Sequence, residues 1–319
     1  MPSYRRTVTL VMTLSILVIG CGKTEPSATP ALPGDTPTRP TPSPVRPTAT
    51  AAPPTNTPLP TPSPTSQPLP ELREMVDVGG YELYIHCTGT GTPTVIMEAG
   101  YGDVGQTWSL VQPEVARFAR ACSYDRAGLG LSEPGPEPRH SLQIVDELHT
   151  LLENAGVEGP FVLVGHSMGG LYMRLYADRY RQDVVGLVLV DSAHPDQFRR
   201  QAAVLPPESP DDSESLRFYR DWFTNAPDDP TLSPELFEAG SLDDMPLVVL
   251  TAPNKERADD FPTELNAQFN QIWLELQQEL AQLSSNSSHV ISEKSQHFIQ
   301  RDQPELVIDA IRQVKEGSP

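Results

Sequence analysis

Gly165-His166-Ser167-Met168-Gly169 places a hydroxyl between two glycines, partway along a chain of 319 residues. The run Phe161 to Val164 before it is apolar and β-rich, and Leu171 to Tyr180 after it reads as a helix. Taken alone, the five residues are a glycine-rich turn with an idle Ser. Between a buried strand and a helix, the same pattern describes a nucleophile elbow, in which Ser adopts strained backbone angles and the flanking glycines let the two elements close on each other. The helix N-terminus below it favours developing negative charge. A serine hydroxyl is a poor nucleophile at its own pKa, so the pattern also demands a base within hydrogen-bond reach and an acid to orient that base.

The elements that must position such groups are legible as an alternation. Short β-rich runs occur at Glu82 to Cys87, Thr94 to Glu98, Ala121 to Asp125, Phe161 to Val164, Val185 to Val190, Leu247 to Thr251 and Ser288 to Ser292. Helical runs separate them, which is the order expected of a mostly parallel sheet covered on both faces. Ser141 is expected to cap a helix with Leu142, Val145, Leu148 and Leu152 on one face, closed by Gly156. A second helix opens at Thr263 with Leu265, Phe269, Ile272, Leu276, Leu280 and Leu283 recurring every three or four residues. A third follows Asp302, with Pro304 in its first turn.

Several segments together resemble the α/β-hydrolase family over about 80–315. Val95-Ile96-Met97-Glu98-Ala99-Gly100-Tyr101 stands where the family has a strand ending in His-Gly, with Ala99 as a departure. Tyr124-Asp125-Arg126-Ala127-Gly128-Leu129-Gly130-Leu131-Ser132 looks like the family's Asp-x-Arg-Gly-x-Gly-x-Ser turn, and Ser295-Gln296-His297-Phe298 resembles its catalytic-His segment. The resemblance implies an α/β fold with an eight-stranded, mostly parallel sheet flanked by helices and a helical cap between the sixth and seventh strands. It implies Ser167 as nucleophile and His297 as base, in the chain order Ser, acid, His. The remaining histidines, His86, His140, His149, His166, His194 and His289, lie in or beside strands, helices or the elbow and fit less well.

The acid is less determined. Much of the family carries it after the seventh strand, where this chain reads Ala252-Pro253-Asn254-Lys255-Glu256 and a lysine occupies the expected place. Asp191, at the end of the preceding strand, fits the site used by a minority of relatives; Glu256, Asp259 and Asp260 stay open. By the same resemblance the backbone N–H groups of Met168 and Tyr101 form the oxyanion hole, and Asp125 and Arg126 hold a loop. The cap falls at about 194–244, where aromatics such as Phe198, Phe218, Tyr219, Trp222 and Phe223 stand among acidic residues and prolines. They either pack the cap down or line an acyl or aromatic pocket.

Arg5 and Arg6 precede the apolar run Val8 to Ile19, too short to span a bilayer but suited to an export signal. Val18-Ile19-Gly20-Cys21 resembles a bacterial lipobox, so 1–20 reads as a lipoprotein signal peptide and Cys21 as the lipidated residue. Residues 24–70 hold 16 of the 35 prolines, mixed with Thr, Ser and Ala, and read as an extended stalk between that anchor and a hydrolase domain at 71–319. Export leaves Cys87 and Cys122 in an oxidising setting, and the second and fourth strands of the family's sheet lie antiparallel side by side, which implies a disulfide between them. The net charge of −19 divides into +3 over the first 70 residues and −22 after them; such a surface repels nucleic acid and anionic lipid, so membrane contact is expected through the lipid alone. No Cys/His metal spacing or phosphate-binding glycine loop appears, and neither metal nor cofactor is expected. These features lead to an exported, lipid-anchored serine esterase acting on a small-molecule ester. Amidase, peptidase or C–C hydrolase chemistry on the same triad is the alternative, as is an inactive surface-binding module.

Overall fold

A computed structural model describes residues 71–225 and 232–317. The expected signal peptide, Cys21 and the stalk lie outside the described residues. Eight strands form one sheet: β1 (Leu72–Asp77), β2 (Glu82–Thr88), β3 (Thr94–Glu98), β4 (Arg120–Tyr124), β5 (Phe161–His166), β6 (Val184–Val190), β7 (Leu247–Thr251) and β8 (Ser287–Ile291). Their order is β1-β2-β4-β3-β5-β6-β7-β8, with the β1/β2 and β2/β4 pairs antiparallel and the rest parallel.

The period of two along each strand feeds two cores. In β5 Leu163 points to one face while Val162 and Val164 point to the other, and in β6 Leu187 and Leu189 alternate with Val188 and Val190 in the same way. On the first face lie α2 (Ser141–Asn154), α3 (Met168–Arg179) and α7 (Thr263–Ala281); on the second lie the short α1 (Gln112–Val115) and α9 (Pro304–Glu316). Each fully buried Leu or Val of these layers contributes roughly 1.5–3 kcal/mol by leaving water. Gly186 permits one close contact of this kind, since a Cβ there would stand 2.1 Å from Cγ1 of Val314 on α9.

Among its described residues, the insertion between β6 and β7 holds three helices: α4 (Gln197–Ala203), α5 (Glu214–Asn225) and α6 (Glu235–Glu238). Buried Phe198 and Phe223 fix this cap to the body, the Phe223 ring lying 5.3 Å from Phe269 of α7. Trp222 reaches instead toward Tyr101, edge-on at 5.4 Å. The remaining short helix, α8 (Ile299–Asp302), precedes α9.

Three sequence expectations need correction. β1 is an additional strand: it is an edge strand with Val76 as its buried side chain, so it carries no hydrophobic alternation to read. Ser141 is the first residue of α2 and not its cap; His140 takes the cap position, and the Ser141 hydroxyl bonds Ser233 at the foot of α6. The inner face of α7 runs through Trp273 rather than Ile272, because Trp273 is drawn in by a hydrogen bond described below.

Cys87 and Cys122 are directly opposed across β2 and β4, buried, and joined in a disulfide that closes a sequence separation of 35. Alkylation under denaturing conditions without reduction is expected to leave both unmodified. Replacing both by Ala should lower the free energy of unfolding in a denaturant titration by roughly 3 to 4 kcal/mol on the loop-entropy scale. Modification of both cysteines in the unreduced protein would contradict the bridge.

Candidate active site

Ser167, Asp191, Lys255 and His297 follow β5, β6, β7 and β8 respectively, so the parallel sheet delivers all four to its carboxyl edge. At the elbow, Ser167 has φ 53° and ψ −124°, a left-handed conformation unusual for a residue with a side chain. Its amide donates to Val190 O at 3.2 Å and its carbonyl accepts from Gly170 and Ala193, which locks the turn. The glycines at the ends of the pentapeptide are sterically required. A Cβ on Gly165 would stand 2.6 Å from Gly170 Cα, and one on Gly169 would stand 2.5 Å from Ala99 O.

Asp191 also has positive φ, 43°, and is completely buried. Its carboxylate is saturated with donors. Oδ1 accepts from the Ala252 amide at 3.1 Å and from Trp273 Nε1 at 2.9 Å. Oδ2 accepts from His297 Nδ1 at 2.7 Å and from Lys255 Nζ at 2.8 Å. A carboxylate at Nδ1 fixes the proton there and leaves the Nε2 lone pair available. Glu256, Asp259 and Asp260, the other candidate acids, are exposed; Asp260 accepts from the Ser215 amide of the cap.

His297 is held against the elbow from behind. His166 Nε2 bonds the His297 carbonyl at 2.8 Å, and the two rings lie 4.6 Å apart. His297 Nδ1 meets Asp191 and, at 3.3 Å, Lys255 Nζ, and its carbonyl accepts from His166; among the described residues no hydrogen bond joins its ring to Ser167 Oγ. Four of the other histidines are engaged elsewhere: His86 with Glu71, His149 stacked on Tyr180, His194 beside Glu279, and His289 on Thr251.

On the far side of Ser167 is the loop after β3. A Cβ on Gly100 would stand 3.2 Å from Ser167 Cβ, so the Gly100–Tyr101 peptide lies directly against the nucleophile position. Arg126 holds that loop: its guanidinium pairs with buried Glu98 and donates to the carbonyls of Ala99, at 2.8 Å, and Gly100. Asp125 accepts from the amides of Gly105 and Leu131. Both residues therefore shape the loop, as expected. Met168 opens α3, where first-turn amides have no carbonyl four residues earlier.

Charge at the site is strongly shaped by burial. Desolvation alone would raise the Asp191 carboxyl, but the Lys255 charge and the His297 hydrogen bond hold it down, at about 2. Burial pulls Lys255 down to about 8 against the opposing pull of Asp191. His297 lies below its ordinary range, through desolvation first and Lys255 second, with Asp191 opposing both. Its side chain is 35% exposed by area, yet His166, Trp273 and Phe298 surround the ring, so water reaches it on one side only. A separate cleft of about 650 Å³ between α2 and α6 is bordered by none of Ser167, Asp191 and His297.

Sequence reasoning did not find the roles of Trp273, Glu98 and Lys255 around this site. Trp273 was masked by the apolar stripe of its helix. Lys255 carried a signal, a cation where an acid was expected.

A model of the alpha/beta hydrolase family matches residues 83–310. An uncharacterized protein of Bacillus subtilis, YqjL, is 31% identical over 229 residues, which spans 72% of this chain and 86% of that one. A thermophilic esterase from Thermogutta terrifontis superimposes with a TM-score of 0.51 at 22% identity, covering 78% of this chain and 100% of its own. A probable hydrolytic enzyme from Pseudomonas aeruginosa gives a TM-score of 0.55 at 20% identity, covering 78% and 94%. At those identities the two structures establish the shared fold.

The elbow makes a steric prediction. Gly165→Ala must push α3 off β5, and it is expected to cost more stability than the roughly 1 kcal/mol typical of a point substitution. It should also abolish labelling of Ser167 by a fluorophosphonate. Wild-type melting and labelling in this variant would contradict the packing described.

Proposed function

The chain belongs to the alpha/beta hydrolase family, and we propose that it is a serine hydrolase that cleaves a carboxylic ester through an acyl-enzyme. The observation that carries this reading is the pairing of His297 Nδ1 with buried Asp191 beside a strained Ser167. In the reaction, His297 Nε2 takes the Ser167 proton as Oγ attacks the ester carbonyl, and Asp191 holds Nδ1–H and stabilises the imidazolium. The hydrogen bond between Ser167 Oγ and His297 Nε2 forms as substrate binds, since catalytic hydrogen bonds often tighten only in the substrate complex. The amides of Met168 and Tyr101 receive the oxyanion, and the positive end of α3 adds to them. The imidazolium then protonates the departing alcohol. Water, deprotonated by His297, releases the acid and frees Ser167.

The edge-on contact between Tyr101 and Trp222 supports an acyl or aromatic group beside the oxyanion loop. Met168 and Tyr101 act here through their backbone, so side-chain substitutions at either should alter substrate preference more than the chemistry.

Ser167→Ala is expected to retain the fold and to lose at least about 10³-fold in kcat on p-nitrophenyl esters. Asp191→Asn should be far more damaging than Glu256→Gln, Asp259→Asn or Asp260→Asn. Retention of more than about a tenth of the activity by Ser167→Ala would sink the assignment, and the reverse ranking of the acids would move the orienting carboxylate to the segment after β7. An inactive binding module would show neither turnover nor fluorophosphonate labelling.

Export and lipid anchoring at Cys21 belong to the same proposal. They rest on Arg5, Arg6, the apolar run ending at Gly20-Cys21 and the proline-rich stalk, and a structural disulfide in the domain suits an oxidising compartment. Cys21→Ala is expected to move the protein from the detergent phase to the aqueous phase on phase partitioning. Unchanged partitioning of a variant whose signal is still cleaved would count against lipidation.

A further inference from the structure

Three donors would already satisfy the Asp191 carboxylate in a plain Ser–His–Asp arrangement: the Ala252 amide, the Trp273 indole and the His297 imidazole. The fourth is a primary amine on a side chain that is 15% exposed. Lys255 Nζ binds the same Oδ2 as His297 and stands 3.3 Å from His297 Nδ1. It is held there firmly, because Nζ also lies 3.2 Å from the centre of the Trp273 ring, whose own N–H bonds the other carboxylate oxygen. One indole thus fixes both the carboxylate and the cation that shares it.

We propose that Lys255 is a positioning residue that acts through Asp191: by competing for the oxygen that binds His297, it keeps the imidazole uncharged and available as a base in acid. The proposal rests on the reading of Ser167, His297 and Asp191 as a triad. Its basis is electrostatic geometry. Protonating His297 would place two cations 3.3 Å apart on one carboxylate oxygen, with little water between them. The other groups facing the pair do not reverse this. His166, from the elbow, is buried and held neutral, and Arg257, beyond Lys255 on the same segment, adds positive charge while its guanidinium packs among Tyr219, Phe261 and Phe269.

The pH dependence follows in sign. Below the Lys255 midpoint, near 8, the ammonium is charged and the His297 midpoint is depressed. The ascending limb of kcat/KM, which reports the free base, then lies below the range of an ordinary histidine, close to 6.5. Above that midpoint the whole Asp191 charge turns to His297.

The test follows the ring ¹⁵N shift of His297 against pH in the full-length protein, with the signal assigned by its loss in His297→Asn. In Lys255→Met the midpoint is expected to rise by about one unit or more, whereas Lys255→Arg, which keeps the charge, should restore the low value. The ascending limb of kcat/KM should move with it, so that the Met variant loses about tenfold more activity than wild type between pH 8 and pH 5. Lys255→Gln, which removes the charge but keeps a donor, provides the same reading if the Met variant does not fold, as judged by near-UV circular dichroism. An unmoved His297 midpoint in the Met or Gln variant overturns the proposal alone, as does a moved midpoint with an unmoved rate limb. Turnover surviving in Ser167→Ala would overturn the triad and this proposal with it.

Discussion

A carboxylate sealed from water has to be satisfied wholly by the protein, and around Asp191 that requirement organises the site. Its four donors come from three stretches of chain: the segment after β7 that carries both Ala252 and Lys255, the middle of α7, and the loop between β8 and α8. Removing the Ala252, Trp273 or His297 donor takes a hydrogen bond from a buried charge, at a cost of about 1.5–3 kcal/mol. The register of β6 against β7, the docking of α7 and the placement of the His297 loop are therefore coupled through one side chain. The same constraint requires positive φ at Asp191, since the chain must turn at the end of β6 to aim the carboxyl across β7.

The elbow contributes the opposite kind of constraint, one of space. Gly165 and Gly169 let β5, α3 and the loop after β3 approach to distances that no side chain permits, and Ser167 is thrust out at the apex. The loop that completes the site is held by the Arg126 guanidinium, which bridges Glu98 and successive backbone carbonyls, and by Arg301 of α8, which pairs with Asp103. Strain at Ser167 and Asp191 persists because packing and buried polar bonds on every side over-determine these positions.

What was readable in the sequence was what has a local signature. The doubly buried strands β3, β5, β6 and β7 announce themselves as apolar runs, and Ser167 by its glycines and its place between strand and helix. The segment before the last helix singled out His297 among the histidines. Cys87 and Cys122 were readable once the order of the sheet was assumed, because the β2/β4 register sets them opposite each other. β1 was not readable, since an edge strand with one buried residue has no pattern. The choice among Asp191, Glu256, Asp259 and Asp260 was open because all four lie near strand ends, and only the fold shows which is buried against His297. The parts played by Trp273 and Lys255 depend on two elements meeting at a third, and no local spacing encodes that.

In the proposed reaction Ser167, activated by His297 and Asp191, carries the acyl group. This is tested most directly by mixing the protein with excess p-nitrophenyl ester, quenching in acid within the first turnovers, and mapping the peptides by mass spectrometry. The account predicts an acyl mass increment on the peptide containing Ser167, formed with a burst of p-nitrophenol and lost as turnover ends. Ester hydrolysis with no adduct, or with the adduct on another residue, would contradict it.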